Sequence, residues 1–167
     1  PDEERYRCSS GKFAIAAHPA VASFRFVIVL DADVVVLEPL QALWQLQTDM
    51  ARNGSFVGVA SEVGTPESFG DEPAEAGVPA SCRWSSLMCP VRVNTGVLLL
   101  HVARMRARGL TSPAALLGGR NYSNFSHDRD QILVNGWLAA RPSDGFVLPC
   151  RWNRRTDSKC LQARGIL

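Results

Sequence analysis

The chain is predicted to fold as an α/β layer with a mixed sheet, and three observations point there. Strand-like apolar runs alternate with helix-like stripes along its 167 residues, the pattern of helices packed on a sheet. The clearest run, Phe26-Val27-Ile28-Val29-Leu30, is continuously apolar and mostly β-branched, as expected of a strand buried on both faces. That run passes straight into Asp31-Ala32-Asp33, a polar end of the kind that builds sites at the edge of a sheet.

Composition fits one soluble globular domain over residues 1–167, with 46% hydrophobic and 20% charged residues. The formal net charge is +2. Basic residues are scattered apart from short groups such as Arg104 to Arg108 and Arg151 to Arg155, so no nucleic-acid partner is expected. No apolar run reaches the ~18–20 residues of a membrane span, and no signal peptide is recognisable.

Residues 1–25 read as an irregular or helical lead-in, alanine-rich but interrupted by Pro19. The strand Phe26–Leu30 follows, and Val34-Val35-Val36-Leu37 continues extended. Pro39 suits a first helical turn. Leu40, Leu43, Trp44, Gln47, Met50 and Ala51 then mark one amphipathic helix closed by Asn53-Gly54. Ser55–Ala60 is a second strand. Residues 61–90, punctuated by glycines and prolines and without periodicity, form a long loop. Arg92–His101 is a strand with a polar interruption at its start, and Met105–Leu117 is helical despite Gly109 and Pro113. After a polar loop over Asn121–His127, Asp128 or Asp130 caps a helix presenting Ile132, Leu133, Trp137 and Leu138. Phe146-Val147-Leu148 is a short strand, and Gly165-Ile166-Leu167 reads as the start of another.

At a strand end, residues i and i+2 share a side, so Asp31 and Asp33 can converge on one object. Two hard oxygen donors suit Mg²⁺ or Mn²⁺ that also binds phosphate oxygens. The alternative is that the pair only closes a turn on backbone amides. Five cysteines, Cys8, Cys82, Cys89, Cys150 and Cys160, and three Asn-x-Ser sequons at Asn53, Asn121 and Asn124 lean toward the secretory lumen. The pairing of the cysteines stays open. His18 and His101 read as structural, whereas His127 stands near Asp130 and could border a pocket.

Further motifs follow in order: Val93-Asn94-Thr95-Gly96-Val97, Asp130-Gln131-Ile132-Leu133-Val134-Asn135 and Leu148-Pro149-Cys150-Arg151-Trp152-Asn153. Together with Leu30-Asp31-Ala32-Asp33, they resemble the GT-A glycosyltransferases of family 8. The segment around Cys150, Trp152-Asn153, Arg155, Asp157 and Cys160 is most similar to the glucoside and xyloside xylosyltransferases. The resemblance implies a GT-A, Rossmann-like nucleotide-sugar fold. It further implies retaining transfer of a sugar, xylose in the nearest group, from a UDP-sugar donor to a glycan or glycoprotein acceptor.

In that picture Asp31 and Asp33 hold the metal, and Asn94, Asp130 and Gln131 bind the donor sugar. Asp130 and Gln131 are the catalytic candidates. An amide is a poor nucleophile, so Gln131 is expected to position the sugar and stabilise charge during front-face attack by the acceptor. Trp152 and Asn153 are expected at the acceptor, with a packed core tryptophan as the competing reading. Asn94 can equally satisfy a backbone bend, and Asp130 can cap its helix.

Ile132 stands where relatives have a carboxylate. The family's remaining metal ligand, a histidine in an H-x-x-G-x-x-K-like segment, would come after Leu167, and the uridine-binding strand is not recognisable. The expectation is therefore an internal piece of a catalytic domain, incomplete at both ends and inactive alone. Family placement also implies an ER or Golgi enzyme with a type II membrane anchor outside these residues. Two rivals remain: a non-catalytic relative of the same fold, and a haloacid-dehalogenase-like phosphatase, whose first motif is also D-x-D but for whose phosphate-binding lysine the two lysines, Lys12 before the motif and Lys159 near the end, make no convincing candidate.

Overall fold

The computed structural model describes residues 11–61, 93–116 and 129–153. They form one mixed four-stranded sheet with helices on both faces. Strands β1 (Val27–Leu30), β2 (Val57–Ser61), β3 (Val93–Leu100) and β4 (Gly145–Leu148) lie in the order β1-β3-β2-β4. β3 runs antiparallel to both neighbours, and β2 pairs with β4 in parallel. Strands β1, β2 and β4 therefore point one way. Their carboxyl ends and the amino end of β3 meet along a single edge.

One face of the sheet buries Phe13 and Ala16 from a 3₁₀ helix (Gly11–Ala17), Val57, Val59, Leu98 and Leu100 from the strands, and Leu133, Val134, Trp137 and Leu138 from helix α5 (Arg129–Ala140). The opposite face buries Val97, Leu99, Ala60 and Leu148 under Leu43 and Met50. Those two come from α1 (Gln41–Gln45) and α2 (Gln47–Asn53). Helices α3 (Val102–Ala107) and α4 (Pro113–Leu116) complete the first face. Such two-sided burial is what the apolar strand runs predict.

Four local expectations are corrected. β1 pairs only with β3 among the described residues and all four of its residues are half-buried, so the most apolar run sits at an edge rather than in the middle. The single helix expected over Leu40–Asn53 is two, because Leu46 donates to Leu43 rather than one residue further back, a 3₁₀-type step that offsets the second helix. Helix α3 stops at Ala107, where Gly109 adopts φ 68°, the left-handed end that glycine permits. Val34–Leu37 forms no strand; Asp31 and Val34 close a turn instead. The long loop over 61–90, the Asn121–His127 loop and the strand at Gly165–Leu167 lie outside the described residues, apart from Ser61.

β3 contains the irregularity that matters most. Opposite β2, its register jumps from Val59↔Leu98 to Ala60↔Asn94, while β1 stays paired through Leu30↔Val97. Thr95, Gly96 and Val97 thus bulge away from β2. Such bulges bend the strand and re-aim side chains. The bulge also shifts the alternation: Val93 shares a core with Leu98 and Leu100 rather than with Val97 and Leu99.

Candidate active site

The bulge and the strand ends bring four of the candidate motifs together. Because β1 and β3 are antiparallel, the end of β1 lies beside the start of β3, and the Asp31 amide donates to the Gly96 carbonyl at 2.8 Å. At the start of β3, Asn94 and the bulge residue Thr95 serve opposite faces. Thr95 Oγ1 donates to Asp130 Oδ2 at 2.6 Å. Asn94 meets Asn153, which ends the 3₁₀ turn Cys150–Asn153 after β4.

At the centre on the first face stands Lys12. Its Nζ lies 2.7 Å from Asp31 Oδ1 and 2.7 Å from Asp130 Oδ2, and it donates to the Thr95 carbonyl at 3.1 Å. The Lys12 side chain is only 9% exposed, against 38% for Asp31. Sequence reasoning missed both Lys12 and Thr95. The available signal was a lone charge in the otherwise apolar Gly11–Ala17 segment, GKFAIAA.

Asp130 lies in the first turn of α5 and is buried. Burial alone would raise its pKa. Hydrogen bonds from Lys12 and Thr95, the Lys12 charge and its own backbone amide outweigh burial and hold the carboxyl below its ordinary value. Asp130 is thus a fixed carboxylate rather than a proton donor. Gln131 is half-buried one residue further on, about 100° around the helix, so it does not share Asp130's direction.

Asp31 and Asp33 are not placed by strand pleat. β1 ends at Leu30, and Ala32-Asp33 occupy the turn, with Asp33 exposed. No group of three His, Cys, Asp or Glu side chains able to hold a metal occurs among the described residues. The donor chemistry of the pair nevertheless fits a hard divalent cation. Formally, Lys12 balances one of the three charges on Asp31, Asp33 and Asp130.

On the other face, Asn153 Nδ2 donates to both Asn94 Oδ1 (2.8 Å) and the Asn94 carbonyl (3.0 Å). The Gly96 amide also donates to Asn94 Oδ1, at 2.8 Å. Trp152 is half-buried and packs on the second core, with the Arg151 guanidinium 5.1 Å from its ring centre. Its Nε1 is buried without a partner among the described residues. His18 and His101 are structural. The first accepts from Ala20 N at 3.2 Å and the second caps α3 by accepting from Arg104 N at 3.3 Å. His127, Cys8, Cys82, Cys89 and Cys160 lie outside the described residues.

A mixed α/β sheet with a carboxylate- and amide-lined edge at the carboxyl ends of β1, β2 and β4 belongs to the open-sheet α/β class, whose ligands bind at such an edge. Sequence comparison narrows the class. The chain belongs to glycosyl transferase family 8, whose family model matches residues 13–159. It is similar to glucoside xylosyltransferase 1 of Danio rerio, 23% identical over 141 residues, covering 78% of this chain and 33% of that protein. The chain thus spans about a third of the length of that curated relative.

Proposed function

We propose that this chain forms the donor-sugar half of a retaining glycosyltransferase centre that moves a sugar, xylose by its similarity to glucoside xylosyltransferase 1, from a UDP-sugar to a hydroxyl of a glycan or glycoprotein. One observation supports this above the others: Lys12 joins Asp31, the metal candidate, to Asp130, the sugar candidate, at 2.7 Å each. One buried cation thereby sets the spacing of the two carboxylates. Asp31 and Asp33 would hold Mn²⁺ or Mg²⁺, which as a Lewis acid supplies charge neutralisation for the departing diphosphate.

Asp130, kept ionised and oriented by Lys12 and Thr95, accepts hydrogen bonds from donor-sugar hydroxyls. Asn94 reads the sugar from the bulge. Gln131 positions the sugar and offers its amide dipole to the positive charge that develops there; the acceptor oxygen attacks from the face the leaving group vacates. Trp152, half-buried at this edge, suits an acceptor platform. The lumenal setting, the membrane anchor and the remaining metal ligand belong to this reading as expectations for the whole protein.

The phosphatase reading gains a lysine beside the aspartate pair, but family membership across residues 13–159 favours sugar transfer. The test uses the full-length protein with UDP-xylose, UDP-glucose and UDP-galactose, with and without Mn²⁺, and follows UDP release. Asp31→Asn and Asp33→Asn should each lower turnover by about two orders of magnitude or more. Turnover unchanged in both, or release of inorganic phosphate without nucleotide, would overturn the proposal.

A further inference from the structure

Two backbone groups leave no choice in how the Asn94 and Asn153 side chains are oriented. The Gly96 amide can only donate, so the Asn94 atom 2.8 Å away is its oxygen. The Asn94 carbonyl can only accept, so the Asn153 atom 3.0 Å away is its nitrogen. The same Asn153 nitrogen then meets Asn94 Oδ1 at 2.8 Å. Asn94 Oδ1 is therefore engaged twice, and among the described residues the polar groups still on offer are Asn94 Nδ2 and Asn153 Oδ1.

Gly96 completes the arrangement. A Cβ placed there would stand 3.1 Å from Asn94 Oδ1 and 3.2 Å from Asn153 Oδ1, tighter than ordinary contact. The Gly96 backbone has no positive φ, so conformational freedom is not what this position requires. It requires space for the two amides.

We infer that Asn153 is a positioning residue: it locks the Asn94 carboxamide so that Asn94 presents an N–H donor, and Gly96 keeps the room for this lock. Asn94 then binds an oxygen acceptor on the ligand, such as a sugar hydroxyl oxygen, and Asn153 works through Asn94 instead of serving the acceptor substrate. This rests on the donor-sugar reading above and deepens it. The bond network spans the β3 bulge and the turn after β4, so the orientation of Asn94 depends on the far end of the chain.

The experiment is calorimetric binding of UDP-xylose and of UDP alone to the full-length protein carrying Asn153→Ala, Asn153→Asp or Gly96→Ala. The aspartate would set a carboxylate against two acceptor oxygens and should be at least as damaging as alanine. Each variant should weaken UDP-xylose about tenfold and leave UDP within about twofold, the scale of one well-aligned hydrogen bond. Equal weakening of both ligands would mean a merely structural role and overturn the inference, as would no weakening of either. Wild-type protein that binds neither UDP-xylose nor UDP would instead overturn the donor-sugar reading itself.

Discussion

The two ends of β4 solve the same problem in opposite ways. At its start, every buried polar group described has a partner within the fold: Trp137 Nε1 donates to Asp144 Oδ2 at 3.0 Å, and Ser55 Oγ donates to the Gly145 carbonyl at 3.0 Å. The Arg108 guanidinium sits 3.9 Å from Asp144 and over the Phe56 ring. At its end, Trp152 Nε1 is buried with no partner among the described residues, and the carboxylates outnumber the one lysine that joins them. Polar groups in a core that serves stability are satisfied. Among the described residues, the end of β4 departs from that rule. The difference separates a closed base from an open rim in one small sheet.

The largest effect expected from this contrast is on Lys12. Lys12→Met strands Asp130 with a buried charge and brings it face to face with Asp31. Breaking a buried pair by removing one partner costs about 3–5 kcal/mol, and the low end applies because Asp31 is partly exposed. Urea denaturation should show that loss, and adding Asp130→Asn to Lys12→Met should recover part of it. At the base, Arg108→Met should cost well under about 1 kcal/mol, since Arg108 is 64% exposed and its contact is long. Comparable losses at both ends would erase the distinction.

A sharper comparison lies in the tryptophans. Trp137→Phe leaves Asp144 Oδ2 buried without its N–H donor and should cost about 2–4 kcal/mol, from the lost bond and the lost packing. Trp152→Phe removes an N–H that has no bond to lose among the described residues, and its stability cost should stay below about 1 kcal/mol. Thermal or urea unfolding of the two variants decides. If Trp152→Phe proves as costly as Trp137→Phe, the rim is as closed as the base.

How legible this was in the sequence follows from how local each feature is. Strand and helix identities rest on neighbouring residues, so β1 to β4 and the apolar side of α5 were readable from periodicity. The edge position of β1 was not, because it depends on β3 running antiparallel beside it. The bulge at Thr95–Val97 is likewise defined only by its partner β2. Motif order pointed to Asp31, Asn94, Asp130 and Asn153, which the fold does gather along one edge. Lys12 was hidden because its contact to Thr95 spans 83 positions: a lone charge in an apolar segment does not tell which groups it will join. Asn153 was expected at the acceptor; that its amide also donates to Asn94 is a relation only three-dimensional proximity reveals.

The smallest effect separates the two ends by pH. His101 closes β3 at the base, buried against Phe26 with ring centres 4.1 Å apart. Burial and then the Arg104 charge lower its pKa below 6.5. A depressed histidine binds its proton less readily folded than unfolded, so its contribution is complete above pH 6.5 and is lost as pH falls toward and through its folded value. Protonation would also remove the Nδ1 acceptor that caps α3. Asp130 at the rim is depressed as well, from 3.8, so its contribution is complete above that value and is lost only at lower pH. Urea midpoints should therefore decline in two windows, the base responding as pH falls below 6.5 and the rim only below 3.8. His101→Asn, which keeps a side-chain cap without a titrating ring, should flatten the first window and leave the second in place. A first window that survives His101→Asn would move the pH-sensitive group away from the base.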